Sequence, residues 1–400
     1  MKKVLFIISI ILVVAAFAVC LPLSFAQASA PTGGARQYLS SRESEFVGAA
    51  YVVVDILSAD SYADTWGNIG YADRENQALV DDDTVFDWGE LSELLVWSAL
   101  DLLEAEGKLD LDAKVSNYVA GVSAPKGEPT VNDLITHQSG FASIVGDLYV
   151  EDDEDVKSLA ETVKNPPKQL TAPREQVAYS AFDATLGAYI VEVVARQPYA
   201  EFVQENLLDA IGMQHTAVSA SLWENAEVHT ARNLTMTYTA KGELAGRCRR
   251  FSNYYPAISA AGTLTDLYLL ARYNLRMGSE RALNKNGDIA WRVSTIQSSQ
   301  AAIAVQGDMN RGKLLVALTN SPNNELLEGL VASEFASVEV PQGFYRPTGK
   351  VARTSSFAWT DRLQIKRVSA DKQLLCLCTY EDGSILTADG LYERIPLHEV

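Results

Sequence analysis

Glu90 and Glu93 are the residues of this chain whose type and spacing point most directly to chemistry. They lie in Phe86-Asp87-Trp88-Gly89-Glu90-Leu91-Ser92-Glu93-Leu94-Leu95, and on a helix a separation of three puts both side chains on one face. Two carboxylates held close together push one of their pKa values up. That arrangement serves acid–base hydrolysis, and it also suits a cationic or amide ligand. Tyr179 and Arg292 are the further candidates, which with the two carboxylates would make an acidic or salt-bridged cleft floor. Glu90 has a plainer role open to it. Asp87 as N-cap with Glu90 three residues on would form a capping box, and a carboxylate in the first turn suits the helix dipole.

These side chains need a framework to bring them together. Residues 48–58 are apolar and β-branched, which predicts a core strand, and a second strand is expected around 63–72. Residues 90–106 predict an apolar helix closed by Gly107. Thr130–Thr136 predicts a short helix, and Phe182–Arg196, Tyr199–Ile211 and Ala261–Met277 predict longer ones. Strands return at Ala301–Val305 and Lys313–Leu318. Residues 141–175, with Glu151-Asp152-Asp153-Glu154-Asp155 and Pro166-Pro167, read as a lid or surface insertion whose acidic run is a solvated face. Strands at both ends with helices between them predict an α/β (α+β) domain over 36–335. Its antiparallel sheet would come from the first and last segments, flanked by helices, with a helical lobe inserted. From residue 340 to 400 short strands and Asp-Gly turns predict a small C-terminal β domain, marginal alone and expected to pack on the main one.

The flanking segments carry a resemblance. They are Gly67-Asn68-Ile69-Gly70-Tyr71-Ala72-Asp73, Asp83-Thr84-Val85-Phe86, Gly107-Lys108-Leu109-Asp110, Thr136-His137-Gln138-Ser139-Gly140 and Glu201-Phe202-Val203, followed by Ile211-Gly212-Met213. In this order, from about 45 to 335, the chain resembles the beta-lactamase-related serine hydrolases. That family includes class C beta-lactamases, D-alanyl-D-alanine carboxypeptidases and many esterases. The resemblance implies a beta-lactamase/transpeptidase-like fold. It also implies an active-site helix opening Gly-Ser-x-x-Lys, in which the serine attacks a carbonyl and the lysine takes its proton.

The catalytic positions depart from that pattern. Gly89 is kept, but Glu90 stands at the serine and Glu93 at the lysine. The family's Tyr-x-Asn becomes Tyr179-Ser180-Ala181, so Ala181 replaces the asparagine. Counting back from Leu318-Thr319-Asn320, the third motif should fall at Trp291-Arg292-Val293-Ser294, which has no glycine. Lys285-Asn286-Gly287 sits too early and reads as a turn. Other serines offer no rescue. Ser92 is rotated about 200° from Glu90, Ser123-Ala124-Pro125-Lys126 reads as a loop, and Ser180 has no base at the right spacing. His137 is expected to be structural. The expectation is a pseudoenzyme binding a cell-wall-type peptide or small ligand. The alternative is a hydrolase with a rewired site using Glu90, Glu93 and Tyr179.

The chain opens Met1-Lys2-Lys3, runs apolar from Val4 to Ala26 and continues Gln27-Ala28-Ser29-Ala30. This predicts a signal peptide or an N-terminal membrane anchor over 1–28, hence an extracytoplasmic protein, secreted or held at the outer face of the membrane. Apolar content of 48% indicates a folded globular chain. The net charge is −18, and loss of Lys2 and Lys3 makes it about −20, which disfavours nucleic acid as a partner. Cys248, Cys376 and Cys378 form neither a disulfide framework nor a zinc spacing, and the four histidines are scattered, so no metal and no cofactor is expected.

Overall fold

A computed structural model describes residues 34–58, 61–142, 144, 148–239, 241–246, 251–277, 284–286, 289–296, 299–322 and 326–335, with five short strands beyond residue 342. The elements used below begin with helix α1 (Ala35–Ser40) and strands β1 (Gly48–Ser58), β2 (Ser61–Asp73), β3 (Ala78–Leu79) and β4 (Phe86–Asp87). A 3-10 turn over Gly89–Ser92 then runs into helix α2 (Glu93–Ala105). Helices α3 (Val131–Ile135) and α4 (Ala181–Ala195), strand β5 (Thr216–Ala217), helix α5 (Ala226–Leu234), strand β6 (Ala261–Gly262) and helix α6 (Leu264–Met277) follow. Strands β7 (Asn284–Asn286), β8 (Ile289–Ile296), β9 (Ser299–Gly307) and β10 (Gly312–Thr319), and helix α7 (Leu326–Glu334), complete the set.

The main sheet has seven antiparallel strands in the order β3-β2-β1-β10-β9-β8-β7. Its middle joins β1 to β10, the first and last of its long strands in chain order, with Ala50 opposite Leu318. β1 is apolar nearly throughout because both its faces are covered. Ala50, Val52 and Val54 pack in the core that includes Leu267 and Leu270 of α6, and Ala49, Tyr51 and Val53 pack with Leu327, Leu330 and Val331 of α7. Alternation of side chains across the strand makes that division. The antiparallel sheet flanked by helices agrees with the predicted fold class.

Four local expectations change. The helix predicted over Ala261–Met277 starts at Leu264, because Ala261 and Gly262 pair as β6 with both β4 and β5. Gly262 is the residue that allows this, since a Cβ there would lie 2.6 Å from the Trp88 ring. Lys285 lies in strand β7 rather than in a turn, and Asn286 ends that strand opposite Ile289 of β8; Gly287 lies outside the described residues. The helix expected over Tyr199–Ile211 is α-helical at Tyr199–Val203 and Asp209–Ile211, with a π-turn over Gln204–Leu208 between them. Asp87 caps no helix. Its carboxylate takes a paired contact from Arg232 of α5, with Nε donating at 2.7 Å.

Beyond residue 342, strands β11 (Gly343–Pro347), β12 (Leu363–Ile365), β13 (Cys378–Thr379), β14 (Ile385–Thr387) and β15 (Gly390–Ile395) form a second sheet in the order β12-β11-β15-β14-β13. The predicted leader at 1–28, Cys248 and Cys376 lie outside the described residues. Among the described residues no helix is long and apolar enough to cross a membrane.

Candidate active site

The site is assembled at the start of α2, a helix whose residues from Glu93 to Leu100 are all buried. A helix apolar on nearly every side belongs in the middle of a domain, and this one is anchored at its entry. The Trp88 backbone N–H donates to Ala260 O at 2.9 Å, and its indole N–H donates to Gly262 O at 3.2 Å. Gly89 follows with φ +55°, in the left-handed region that favours glycine. Glycine is therefore required at 89 for a backbone reason. Ser92 is turned into the core, where its Oγ donates to Gly89 O and accepts the Ala260 N–H at 2.9 Å.

Three other elements face this turn. In β8, side chains two apart share a face. Arg292 and Ser294 point toward the helix entry, while Val293 points the other way into the core beneath α7. Helix α3 is held by a capping box, with Thr130 Oγ1 accepting from Asp133 N and Asp133 Oδ2 accepting from Thr130 N. Just after it His137 adopts φ +52°, unusual for a side chain that is not glycine. Its carbonyl accepts the Ala178 N–H at 2.8 Å and so ties the Tyr179 segment to the same turn. Helix α4 begins at Ala181 and contributes Asp183, fully buried in its first turn.

The result is a buried ionic chain. Glu93 is 0% exposed, and its Oε1 accepts from Arg292 Nη1 and lies 3.1 Å from His137 Nε2. The other imidazole nitrogen lies 3.8 Å from Asp183 Oδ2, and Ser139 Oγ donates to Asp183 Oδ1 at 2.6 Å. Arg292 Nη2 is 3.7 Å from Glu90 Oε2, and the guanidinium carbon sits 5.2 Å from the Tyr179 ring centre. The Tyr179 and His137 rings are 5.1 Å apart. Glu90, Glu93, Tyr179 and Arg292 are thus brought together as the sequence suggested. Ala181 presents a buried methyl group at the start of α4. The sequence reading missed His137 as a charged partner, and it missed Asp183 and Ser294 altogether. A lone aspartate opening an apolar helix was the available signal.

Burial and charge set the protonation of each group. Burial raises the Glu90 carboxyl, and the neighbouring Glu93 raises it further against the pull of Arg292. Burial would also raise Glu93, but Arg292 and His137 outweigh it and hold the carboxylate below its ordinary value. For His137 burial works against the charge, yet Glu93 and Asp183 win and lift its pKa to about 9. Burial lifts Asp183 to about 6. Burial, then Glu90 and Glu93, push the Tyr179 phenol well above its usual range. At neutral pH the imidazole is therefore a cation, the phenol is neutral, and neither is a ready proton acceptor.

This arrangement predicts a pH limb in stability. The contribution of protonated His137 is complete below its unfolded value of 6.5 and is lost as pH rises to about 9, with a slope of roughly 1 kcal/mol per pH unit. Asp183, raised from 3.8 to about 6, adds a loss between those two values, below the histidine window. Urea denaturation at several pH values should show the upper limb in the natural protein and a flatter one in His137→Gln. An unchanged limb would remove His137 as its source.

Among the described residues no group of three or more His, Cys, Asp or Glu side chains could hold a metal ion. The family model described as Beta-lactamase matches residues 38–307. A protein of Escherichia coli K12 named "Putative D-alanyl-D-alanine carboxypeptidase" is 31% identical over 139 residues, covering 31% of this chain and 31% of that protein. The teichoic acid D-alanine hydrolase of Staphylococcus aureus is 29% identical over 151 residues, covering 37% of this chain and 36% of the hydrolase. The chain thus spans about a third of the length of each. A solved class C beta-lactamase superposes with a TM-score of 0.59 at 18% identity, covering 77% of this chain and 96% of that one.

Proposed function

This chain belongs to the beta-lactamase family, and on that premise we propose that it is a noncatalytic member, acting outside the cytoplasm as a binding protein for a cell-wall-type peptide or other small amide ligand. One observation carries the reading. The position where the family places its proton-accepting lysine holds Glu93, fully buried and fixed between Arg292 and His137. A carboxylate committed to two cations cannot take a proton from a neighbouring nucleophile, and Glu90 offers no hydroxyl to activate. In a serine hydrolase, removing the nucleophile alone lowers turnover by about 10⁶. The ligand side of the reading rests on Glu90, whose side chain is 27% exposed while Glu93 and Arg292 lie beneath it. Its carboxylate is placed to accept a hydrogen bond from an amide or ammonium group at the mouth of the site. The relatives named "Putative D-alanyl-D-alanine carboxypeptidase" and "Teichoic acid D-alanine hydrolase" make D-alanyl peptides and D-alanine derivatives the first ligands to try. The apolar leader supports the location.

The test is intact mass after exposure to a fluorescent penicillin and a fluorophosphonate, with a thermal-shift screen of D-alanyl dipeptides and amino-acid amides beside it. No adduct together with a ligand-dependent shift that Glu90→Gln abolishes is the expected result. An adduct, or ester hydrolysis that disappears in Glu90→Gln or Tyr179→Phe, would overturn the reading in favour of a rewired hydrolase. No shift with any ligand would count against binding.

A further inference from the structure

We propose that Ser294 is an internal ligand of this site. Its hydroxyl fills the hydrogen-bond donor that would otherwise receive the oxygen of an acyl group or a small tetrahedral oxyanion. The inference rests on the reading of the site as noncatalytic and adds a second, independent reason for it.

The backbone N–H of Glu90 donates to Ser294 Oγ at 2.7 Å. That N–H belongs to the residue at the nucleophile position. In serine acyl-transfer centres a backbone N–H at or beside the nucleophile commonly holds the oxyanion as it develops. A donor serves that purpose only if no protein group already satisfies it. Here one does, and the pairing is shielded: Ser294 is 1% exposed, on the face of β8 that also carries Arg292. Pairing of Ser294 with Ala301 across β8 and β9 sets the backbone beneath the hydroxyl. The side chain at 294 therefore decides whether the donor is open. Glycine there would leave the N–H facing a space the size of a hydroxymethyl group. With Glu90 neutralised, Arg292, now 3.7 Å from the Glu90 carboxylate, would be a cation adjoining an entering anion.

The test compares Glu90→Gln with Glu90→Gln/Ser294→Gly and Glu90→Gln/Ser294→Ala, each titrated with methylphosphonate and followed at the residue-90 amide by ¹⁵N NMR. The hydroxyl-free variants should bind at least about tenfold more tightly than Glu90→Gln, the equivalent of one charge-assisted hydrogen bond, with the residue-90 amide among the shifted signals. Equal affinity with and without the hydroxyl would overturn the proposal. So would failure of both hydroxyl-free variants to bind while their spectra remain those of a folded protein. If glycine loosens β8, the alanine variant decides. In the natural protein the residue-90 amide should exchange slowly with solvent; exchange at the rate of an open amide would also overturn it. These results are separable from the noncatalytic reading, which falls only if the natural protein forms an adduct or turns over an ester.

Discussion

Glu93→Gln should cost the main domain about 3–5 kcal/mol of unfolding free energy, the range expected when one partner of a buried ion pair is removed and the other stays. Glutamine matches glutamate in size, so no cavity contributes and the loss measures charge. Glu93 is the shared counter-ion of two buried cations, Arg292 at 6% exposure and His137 at 8%. Without it, His137 can shed its proton, but Arg292 cannot. Glu90 lies 3.7 Å from Arg292 and is only a partial substitute. Glu93→Gln/Arg292→Gln should therefore be less damaging than the two single changes added together, by about 1–3 kcal/mol. Urea denaturation of the four proteins closes the cycle. A single Glu93→Gln change within about 0.5 kcal/mol of the natural protein, the usual span for an unimportant surface site, would mean that the ionic chain has no structural role.

Much of this architecture could be read from the chain. The apolar run 48–58 gave its strand, and the order of the scaffold segments gave the family. The i, i+3 spacing of Glu90 and Glu93 put both at one helix entry, and the spacing back from Leu318 reached Arg292. What could not be read depends on contacts far apart in sequence. Asp87 looks like a cap because capping is a local signal, while its true partner Arg232 is 145 residues away. Ala261 and Gly262 extend a helical pattern and carry no strand propensity. They pair as a strand because Gly262 alone leaves room for the Trp88 ring. His137 sits in a scaffold motif whose sequence gives no hint of carboxylates on both sides of the ring. A glutamate in an apolar helix resembles a solvent-facing residue, and only the fold shows that Glu93 points into the core.

Glu93→Lys, which would place an ammonium at this position, should be more damaging than Glu93→Gln. It exchanges the counter-ion of Arg292 and His137 for a third cation within their reach. A buried charge without a partner costs several kcal/mol, so this variant should accumulate poorly as folded protein. Glu90→Ser/Glu93→Lys should then fail to react with a penicillin for reasons of folding as well as of chemistry. The remedy follows from the same geometry. In a Glu90→Gln background, which removes the carboxylate facing position 292, Glu93→Lys/Arg292→Glu reverses the ion pair and should recover most of the lost stability. The introduced ammonium would still adjoin His137, so the histidine must be neutral. Loss of Glu93 and the added ammonium lower its pKa while Asp183 still raises it, and the recovery should therefore be fuller at pH 8 than at pH 6. This is the opposite of the natural protein, where protonated His137 contributes stability that is lost as pH rises from 6.5 to about 9. Soluble yield and urea midpoints at the two pH values test both halves. If Glu93→Lys alone is as stable as the natural protein, the substitutions at 93 and 292 are independent. If the reversed pair recovers with the inverted pH dependence, the residue at 93 is fixed by the charges around it, and a lysine there is tolerated only when those surroundings change as well.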